Sequence, residues 1–270
     1  SNNFCGGQAC VAVKTDGTLW CWGKGTYGEV GNLSRTEYSS PVQIGSDTTW
    51  STTYDQCAGG EKTTFCIKTD GTLWGWGQND GGAVGVSPTG HRSSPTQIPG
   101  TTWLRVDANY SHTAAIRTDG TLWMWGENGY GQLAQNNRTS YSSPKQIPGT
   151  TWLRVRSQNY GTMALKTDGT LWCWGRGNWG SNGQNNRTEY SSPVQVPGTT
   201  WGSLCASGSY SASATKTDGT LWAWGNGNQG QLGQENTTQY SSPVQIPGSD
   251  WAYGLAWAGN AQYAIQQIEP

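Results

Sequence analysis

Thr15-Asp16-Gly17-Thr18-Leu19-Trp20-Cys21-Trp22-Gly23 decides how this chain folds. The same phrase, Thr-Asp-Gly-Thr-Leu-Trp-x-Trp-Gly, starts again at Thr69, Thr118, Thr167 and Thr217, at spacings of 54, 49, 49 and 50 residues. A period this long and regular marks one supersecondary unit per repeat, and such a unit cannot cover its own apolar faces. The units must therefore stack. Successive repeats read as 1–49, 50–102, 103–151, 152–200 and 201–250, with a partial unit at 251–270 and a single repeat domain overall.

Within the phrase, Asp-Gly is the strongest local signal. It separates alternating apolar segments, Ala12-Val13-Lys14 before and Thr18-Leu19-Trp20 after. Asp-Gly supplies positive φ at low cost, which a two-residue type I′ hairpin turn needs at both central residues. Each phrase is thus expected to be a β-hairpin. On its outgoing strand Trp20 and Trp22 point one way and Leu19 and Cys21 the other, so both faces need cover. The residue between the two Trp is Cys21, Gly75, Met124, Cys173 or Ala223, mostly small, as suits a crowded face.

Downstream come paired glycines such as Gly126 and Gly131, a polar loop, and Ser-Ser-Pro ending at Pro41, Pro95, Pro144, Pro193 and Pro243. Proline near the start of a short strand places that strand at a sheet edge. A further Trp (Trp50, Trp103, Trp152, Trp201, Trp251) opens the strand leading into the next hairpin. The count is four short antiparallel strands per repeat, without helical periodicity. Four-stranded units repeated about an axis make an all-β propeller.

The Trp-Gly-x-Asn-x-x-Gly-Gln-Leu-Gly pattern resembles the regulator-of-chromosome-condensation repeat. Trp125-Gly126-Glu127-Asn128-Gly129-Tyr130-Gly131-Gln132-Leu133 and Trp224-Gly225-Asn226-Gly227-Asn228-Gln229-Gly230-Gln231-Leu232-Gly233 carry it most closely. The resemblance extends over nearly the whole chain and implies a propeller. It does not single out a function, because the family holds a nucleotide-exchange factor, secreted β-lactamase inhibitors and many other proteins. Its best-known members have seven blades, whereas five Asp-Gly hairpins occur here. Residues 4–13 and 251–266 both supply the first two strands of a unit. A closed five-bladed ring with a spare hairpin is the favoured expectation, and an open arc is the alternative.

Composition narrows the function. Charged residues are 12% of the chain, about half the usual share. The net charge is -1 and no Lys/Arg run occurs, so no footprint for nucleic acid is present. No apolar run approaches the roughly 20 residues of a membrane helix. No cleavable signal peptide is recognisable, and the start at Ser1 points to a processed product or part of a longer chain. The 17 Trp argue against disorder.

Neither histidine, His91 or His112, has metal-ligand spacing to a Cys, carboxylate or second His, and His112 reads as a turn residue. No nucleophile motif or phosphate loop appears. The chain reads as a non-enzyme without cofactor or metal. Among seven cysteines, Cys5 with Cys10 and Cys57 with Cys66 are spaced to close hairpins as disulfides, which would indicate an oxidising compartment.

The loop before Ser-Ser-Pro is the candidate interaction surface. It places Arg35 and Tyr38, Arg138 and Tyr141, Arg187 and Tyr190, and Tyr240 at matching repeat positions. Arg and Tyr are frequent at interfaces, and they also brace long loops. Trp179 stands apart, in a glycine-rich loop where other repeats have Tyr27, Tyr130 or Gln229. Asn32, Asn109, Asn137, Asn186 and Asn236 match the glycosylation acceptor pattern.

From these features the first expectation is an extracellular structural or adhesive protein, a fibre, appendage or surface subunit at the cell surface or virion. A protein partner or copies of itself would bind it. A carbohydrate-binding lectin with one site per blade, and a secreted inhibitor or scaffold, are the alternatives.

Overall fold

The computed structural model describes the backbone of residues 2–6, 8–109, 111–205, 210–258 and 261–266, and the side chains of 8–109, 111–205 and 210–251. Strands run in chain order and form five four-stranded antiparallel sheets. The first blade holds β1 (Asn2–Gly6), β2 (Ala9–Val13), β3 (Leu19–Gly23) and β4 (Tyr38–Gln43). The second holds β5 (Cys57–Gly59), β6 (Thr63–Ile67), β7 (Leu73–Gly77) and β8 (Arg92–Gln97). The third holds β9 (Trp103–Ala108), β10 (His112–Arg117), β11 (Leu122–Gly126) and β12 (Tyr141–Ile147). The fourth holds β13 (Trp152–Ser157), β14 (Gly161–Lys166), β15 (Leu171–Gly175) and β16 (Tyr190–Val196). The fifth holds β17 (Trp201–Leu204), β18 (Ser211–Lys216), β19 (Leu221–Gly225) and β20 (Tyr240–Ile246). A two-stranded sheet of β21 (Trp251–Ala258) and β22 (Ala261–Gln266) follows. Each Ser-Ser-Pro strand is the last of its sheet, where proline's missing N–H leaves no ladder bond unmade.

Two compact units result. One comprises Ser1–Gly129 with Thr139–Thr150, and the other Tyr130–Arg138 with Thr151–Pro270. The first contains blades one to three. The second contains blades four and five, the terminal strand pair, and the 130–138 loop.

The Asp-Gly hairpin differs from the expected type I′ turn. Gly17 has φ of 79°, but Asp16 is not among the residues of positive φ. Gly17 N–H donates to Lys14 C=O and Lys14 N–H to Thr18 C=O. These bonds define a three-residue loop, a type I turn closed by a left-handed glycine. Asp16 keeps negative φ because its carboxylate has local work. Oδ1 accepts from Thr18 N–H at 3.0 Å and from the Thr18 hydroxyl at 2.7 Å. Thr18 Oγ1 in turn accepts from Trp20 Nε1–H at 2.9 Å. The same relay recurs from Asp70 to Trp74, Asp119 to Trp123, Asp168 to Trp172, and Asp218 to Trp222. The phrase is therefore a polar circuit as well as a turn.

Packing between blades follows from the two faces of each hairpin. In the first unit, Val11, Val13, Leu19, Cys21 and Ile44 of blade one meet Trp50 and Trp76 of blade two. Phe65, Ile67, Leu73 and Ile98 of blade two meet Trp103 and Trp125 of blade three. In the second unit, Met163, Leu165, Leu171 and Val196 of blade four meet Trp201 and Trp224 of blade five. An aliphatic face thus covers the next blade's tryptophan face each time. On the tryptophan face the indoles meet edge to face, as Trp103 does with Trp123 and Trp125 at 6.3 and 6.1 Å. Such pairs contribute about 0.5–1.5 kcal/mol beyond burial. The Lys or Arg ahead of each Thr-Asp-Gly lies over these rings: Arg117 is 4.5 Å from Trp103 and 4.2 Å from Trp123. Lys68, Lys166 and Lys216 repeat the arrangement.

A polar staple fixes the register between blades. Trp125 Nε1–H donates to Ala83 C=O at 2.9 Å, and the Thr113 hydroxyl donates to the same oxygen at 2.9 Å. Trp76 and Thr64 share Glu29 C=O in the same way, as do Trp174 and Thr162 with Gln132 C=O. A carbonyl has two lone pairs, so both donors are satisfied inside an apolar interface. His112 is fully buried as the first residue of β10, rather than exposed in a turn.

Candidate protein-interaction surface

The Arg/Tyr loops are tied to their neighbours. Arg138 pairs with Glu189 at 2.8 Å, and Arg187 donates to Gln239 Oε1 at 3.1 Å. In both cases one loop holds the next. Arg35 is exposed. Tyr38, Tyr141, Tyr190 and Tyr240 each open the last strand of their sheet and are half-buried, with Tyr38 packed on the blade-one core and Lys145 lying over Tyr141 at 5.2 Å. Asn186 Nδ2 donates to the Tyr190 hydroxyl at 3.0 Å, and Asn236 Nδ2 to that of Tyr240 at 3.3 Å. Asn137 Nδ2 donates to Gln135 C=O, and Asn32 Oδ1 accepts from Ser34 N–H. Asn109 lies in the β9–β10 turn, where its main chain bonds His112 and Glu61. These residues hold loop shape.

Cys57 and Cys66 face one another across β5 and β6 and form a disulfide. Cys10 stands opposite Cys5 in the β1–β2 register, but the Cys5 side chain lies outside the described residues. Cys21, Cys173 and Cys205 are buried free thiols. Burial pushes the thiols of Cys21 and Cys173 far above the usual range, so neither ionises near neutrality.

Trp179 belongs to a cluster on the second unit that is not legible as a group in the sequence. Tyr130 and Tyr160 meet edge to face at 5.1 Å, Tyr160 stacks with Tyr210 at 6.4 Å, and Trp179 lies 6.0 Å from Tyr210. The Arg176 guanidinium sits among them, 4.8 Å from Tyr130, 5.3 Å from Tyr160 and 5.4 Å from Tyr210. All five side chains are half-buried. Tyr130 and Trp179 share one repeat position. Tyr160 and Tyr210 share another, in the turn between the first two strands of a blade. That second column of tyrosines was the available signal. In the first unit the corresponding loops line a cleft of about 110 Å³ with Lys62, Gln78, Asp80, Ser111 and Glu127. That cleft carries charged groups of both signs, and Lys62 lies over Tyr27 at 5.2 Å.

Four-stranded blades, with Trp76, Trp125, Trp174 and Trp224 each donating to a carbonyl of the preceding repeat, define a repeat β-propeller. The model of the regulator of chromosome condensation (RCC1) repeat matches residues 16–67, 70–116, 119–165 and 218–252, and a second model of that repeat matches 104–132. The chain belongs to the RCC1 repeat family. The human E3 ubiquitin-protein ligase HERC2 is 30% identical over 101 residues, 37% of this chain and 2% of that protein. The Arabidopsis thaliana ultraviolet-B receptor UVR8 is 30% identical over 94 residues, 35% of this chain and 21% of that protein. The chain therefore corresponds to a small part of the curated relatives it matches.

Among solved structures, Prp20p of Saccharomyces cerevisiae, described with its binding to Gsp1p and histones, superposes with a TM-score of 0.82 at 17% identity, covering 98% of this chain and 69% of that one. Human WBSCR16 superposes at 0.78 with 21% identity, covering 90% and 65%. At these identities the likeness concerns the fold alone.

These relatives overturn the expectation of an extracellular structural or adhesive protein, together with the lectin and secreted-inhibitor alternatives. The curated relatives named are a ubiquitin-protein ligase and an ultraviolet-B receptor. The extracellular, cell-surface or virion placement falls with it, since these relatives give it no support. None of these relatives supports carbohydrate or copies of itself as a partner; those described with a partner, such as Prp20p with Gsp1p and histones, are described with proteins. The loop asparagines and turn threonines instead brace the chain's own loops and turns.

Proposed function

We propose that this chain is a non-catalytic protein-binding module that engages its partner through the Tyr130, Tyr160, Arg176, Trp179 and Tyr210 face. The carrying observation is the Arg176-centred aromatic cluster. Tyr, Trp and Arg are the residue types that concentrate binding energy at protein interfaces. Here they gather on one surface, half-buried and rigidified by mutual ring contacts. The family context agrees, since yeast RCC1 is described in complex with Kap60. The buried, un-ionised Cys21 and Cys173 and the core position of His112 leave these groups no access to a substrate, which supports a non-catalytic reading.

A photo-crosslinking residue at the exposed Asn178 tests this. Adducts to a discrete protein in cells of the source, lost on Tyr210→Ala, are expected. Adducts from a probe at the exposed Arg35 position, with none from 178, would refute the assignment of this face.

A further inference from the structure

We infer that the Arg176 face accepts an acidic segment of its partner protein, with an Asp or Glu carboxylate on the guanidinium and adjoining apolar side chains on the rings. This rests on the protein-binding reading above and specifies the partner's chemistry.

Three observations carry it. First, Arg176 has no carboxylate partner among the described residues, unlike Lys68, His91, Arg105 and Arg138, which each pair with one. Second, the surrounding loops, 158–160, 176–179 and 226–229, read Gln-Asn-Tyr, Arg-Gly-Asn-Trp and Asn-Gly-Asn-Gln, with no Asp, Glu or Lys. These three loops carry one positive charge and no carboxylate, while the Tyr130 loop holds one, Glu127. The first unit's corresponding cleft mixes Lys62 with Asp80 and Glu127. Third, the guanidinium fork is occupied by a neutral stand-in. With the Asn178 amide turned so that its oxygen faces the donors, Oδ1 accepts from Arg176 Nη2 at 3.0 Å and from Nε at 3.1 Å. An amide oxygen there marks the place of a carboxylate oxygen, and Asn178 is exposed and free to yield it.

The physics favours exchange. Tyrosine faces hold the guanidinium by cation–π attraction without consuming its N–H donors, which lie in the plane of the group. A carboxylate makes two parallel charge-assisted bonds to such a fork, each stronger than one to an amide. Holding the arginine in place beforehand lowers the ordering cost of binding.

Fluorescence polarisation with a labelled peptide of alternating Glu and Leu, and its Gln–Leu analogue, tests the inference. The Glu peptide is expected to bind more tightly than the Gln peptide by on the order of tenfold or more, with affinity falling as salt rises. Arg176→Gln should remove that preference. Arg176→Lys should keep part of it, since it retains charge without the fork. Asn178→Asp keeps the arginine and supplies an internal carboxylate, so it should suppress binding as Arg176→Gln does. Near-ultraviolet circular dichroism confirms the fold of each variant. Equal affinity for the Glu and Gln peptides, no binding of either, or binding untouched by Arg176→Gln and Asn178→Asp would overturn the inference. So would a dimer in light scattering that Arg176→Gln dissolves, which would give the face to a second copy. A protein crosslinked at 178 through a segment lacking carboxylates would overturn the acidic specificity while leaving the protein-binding reading intact.

Discussion

Replacing Trp125 by Phe tests whether the inter-blade staple organises this fold. Trp125 is fully buried, and its Nε1–H ends 2.9 Å from Ala83 C=O in the preceding blade. Phenylalanine keeps the aromatic contact but removes the donor and part of the ring. The lost hydrogen bond costs about 1 kcal/mol net, because Thr113 still satisfies the carbonyl. The unfilled volume adds about 1–2 kcal/mol. A total of about 2–3 kcal/mol should lower the urea midpoint by roughly 1 M, given a slope of about 3 kcal/mol per M. Trp123→Phe is the control, since that indole is half-buried and bonds only Thr121 within its own turn. It should cost less than half as much. Adding Thr113→Val supplies the decisive sign. In Trp125→Phe/Thr113→Val the Ala83 oxygen is buried without any donor, so the double variant should exceed the sum of the singles by about 1 kcal/mol or more. Urea melts followed by far-ultraviolet circular dichroism measure all four proteins. Simple additivity, or Trp123→Phe matching Trp125→Phe, would show that the shared carbonyl does not link the blades.

Three other outcomes follow from the same geometry. Gly85 has φ of 87°, and a Cβ there would lie 2.6 Å from Trp125 Nε1, whereas a Cβ at Gly129 meets nothing within 4 Å; thermal melts should show Gly85→Ala strongly destabilised and Gly129→Ala nearly neutral. Asp16, Asp70, Asp119, Asp168 and Asp218 all have carboxyls held below the usual value of 3.8, chiefly by the Thr hydroxyl two residues on, and Lys68 draws Asp47 down to about 2. Depressed folded-state values mean that this stabilisation is complete above the unfolded value and lost as pH falls through the folded one. The urea midpoint should thus fall below about pH 4, and Thr→Val changes at 18, 72, 121, 170 and 220 should flatten that fall. Arg138→Ala breaks an exposed pair with Glu189, so it should cost under about 1 kcal/mol in urea melts, and high salt should erase the difference.

Thr15–Gly23 and its four copies already contain the blade. Periodicity, alternation and the Ser-Ser-Pro edge specify four antiparallel strands, and two apolar faces on one hairpin require neighbours. The turn type was misread because Asp-Gly suits both a two-residue and a three-residue loop. The choice turns on where the Asp carboxylate bonds, and that requires Thr18 and Trp20 to be placed around it. The Arg and Tyr of the long loops were visible as a pattern, but a pattern does not say whether a side chain faces solvent or the adjoining loop. Arg138 and Arg187 face the adjoining loop.

Local order along the chain determined the repeat, the hairpin and the demand for stacking, because strand alternation and turn chemistry act over a few residues. Tertiary structure alone decided that Trp125 and Thr113 share a carbonyl 42 and 30 residues away, and that Tyr130, Tyr160 and Tyr210 converge on Arg176. Those relations depend on how one blade is rotated and shifted against the next. That rotation and shift is set by the summed fit of two whole faces, and no segment shorter than a blade encodes it.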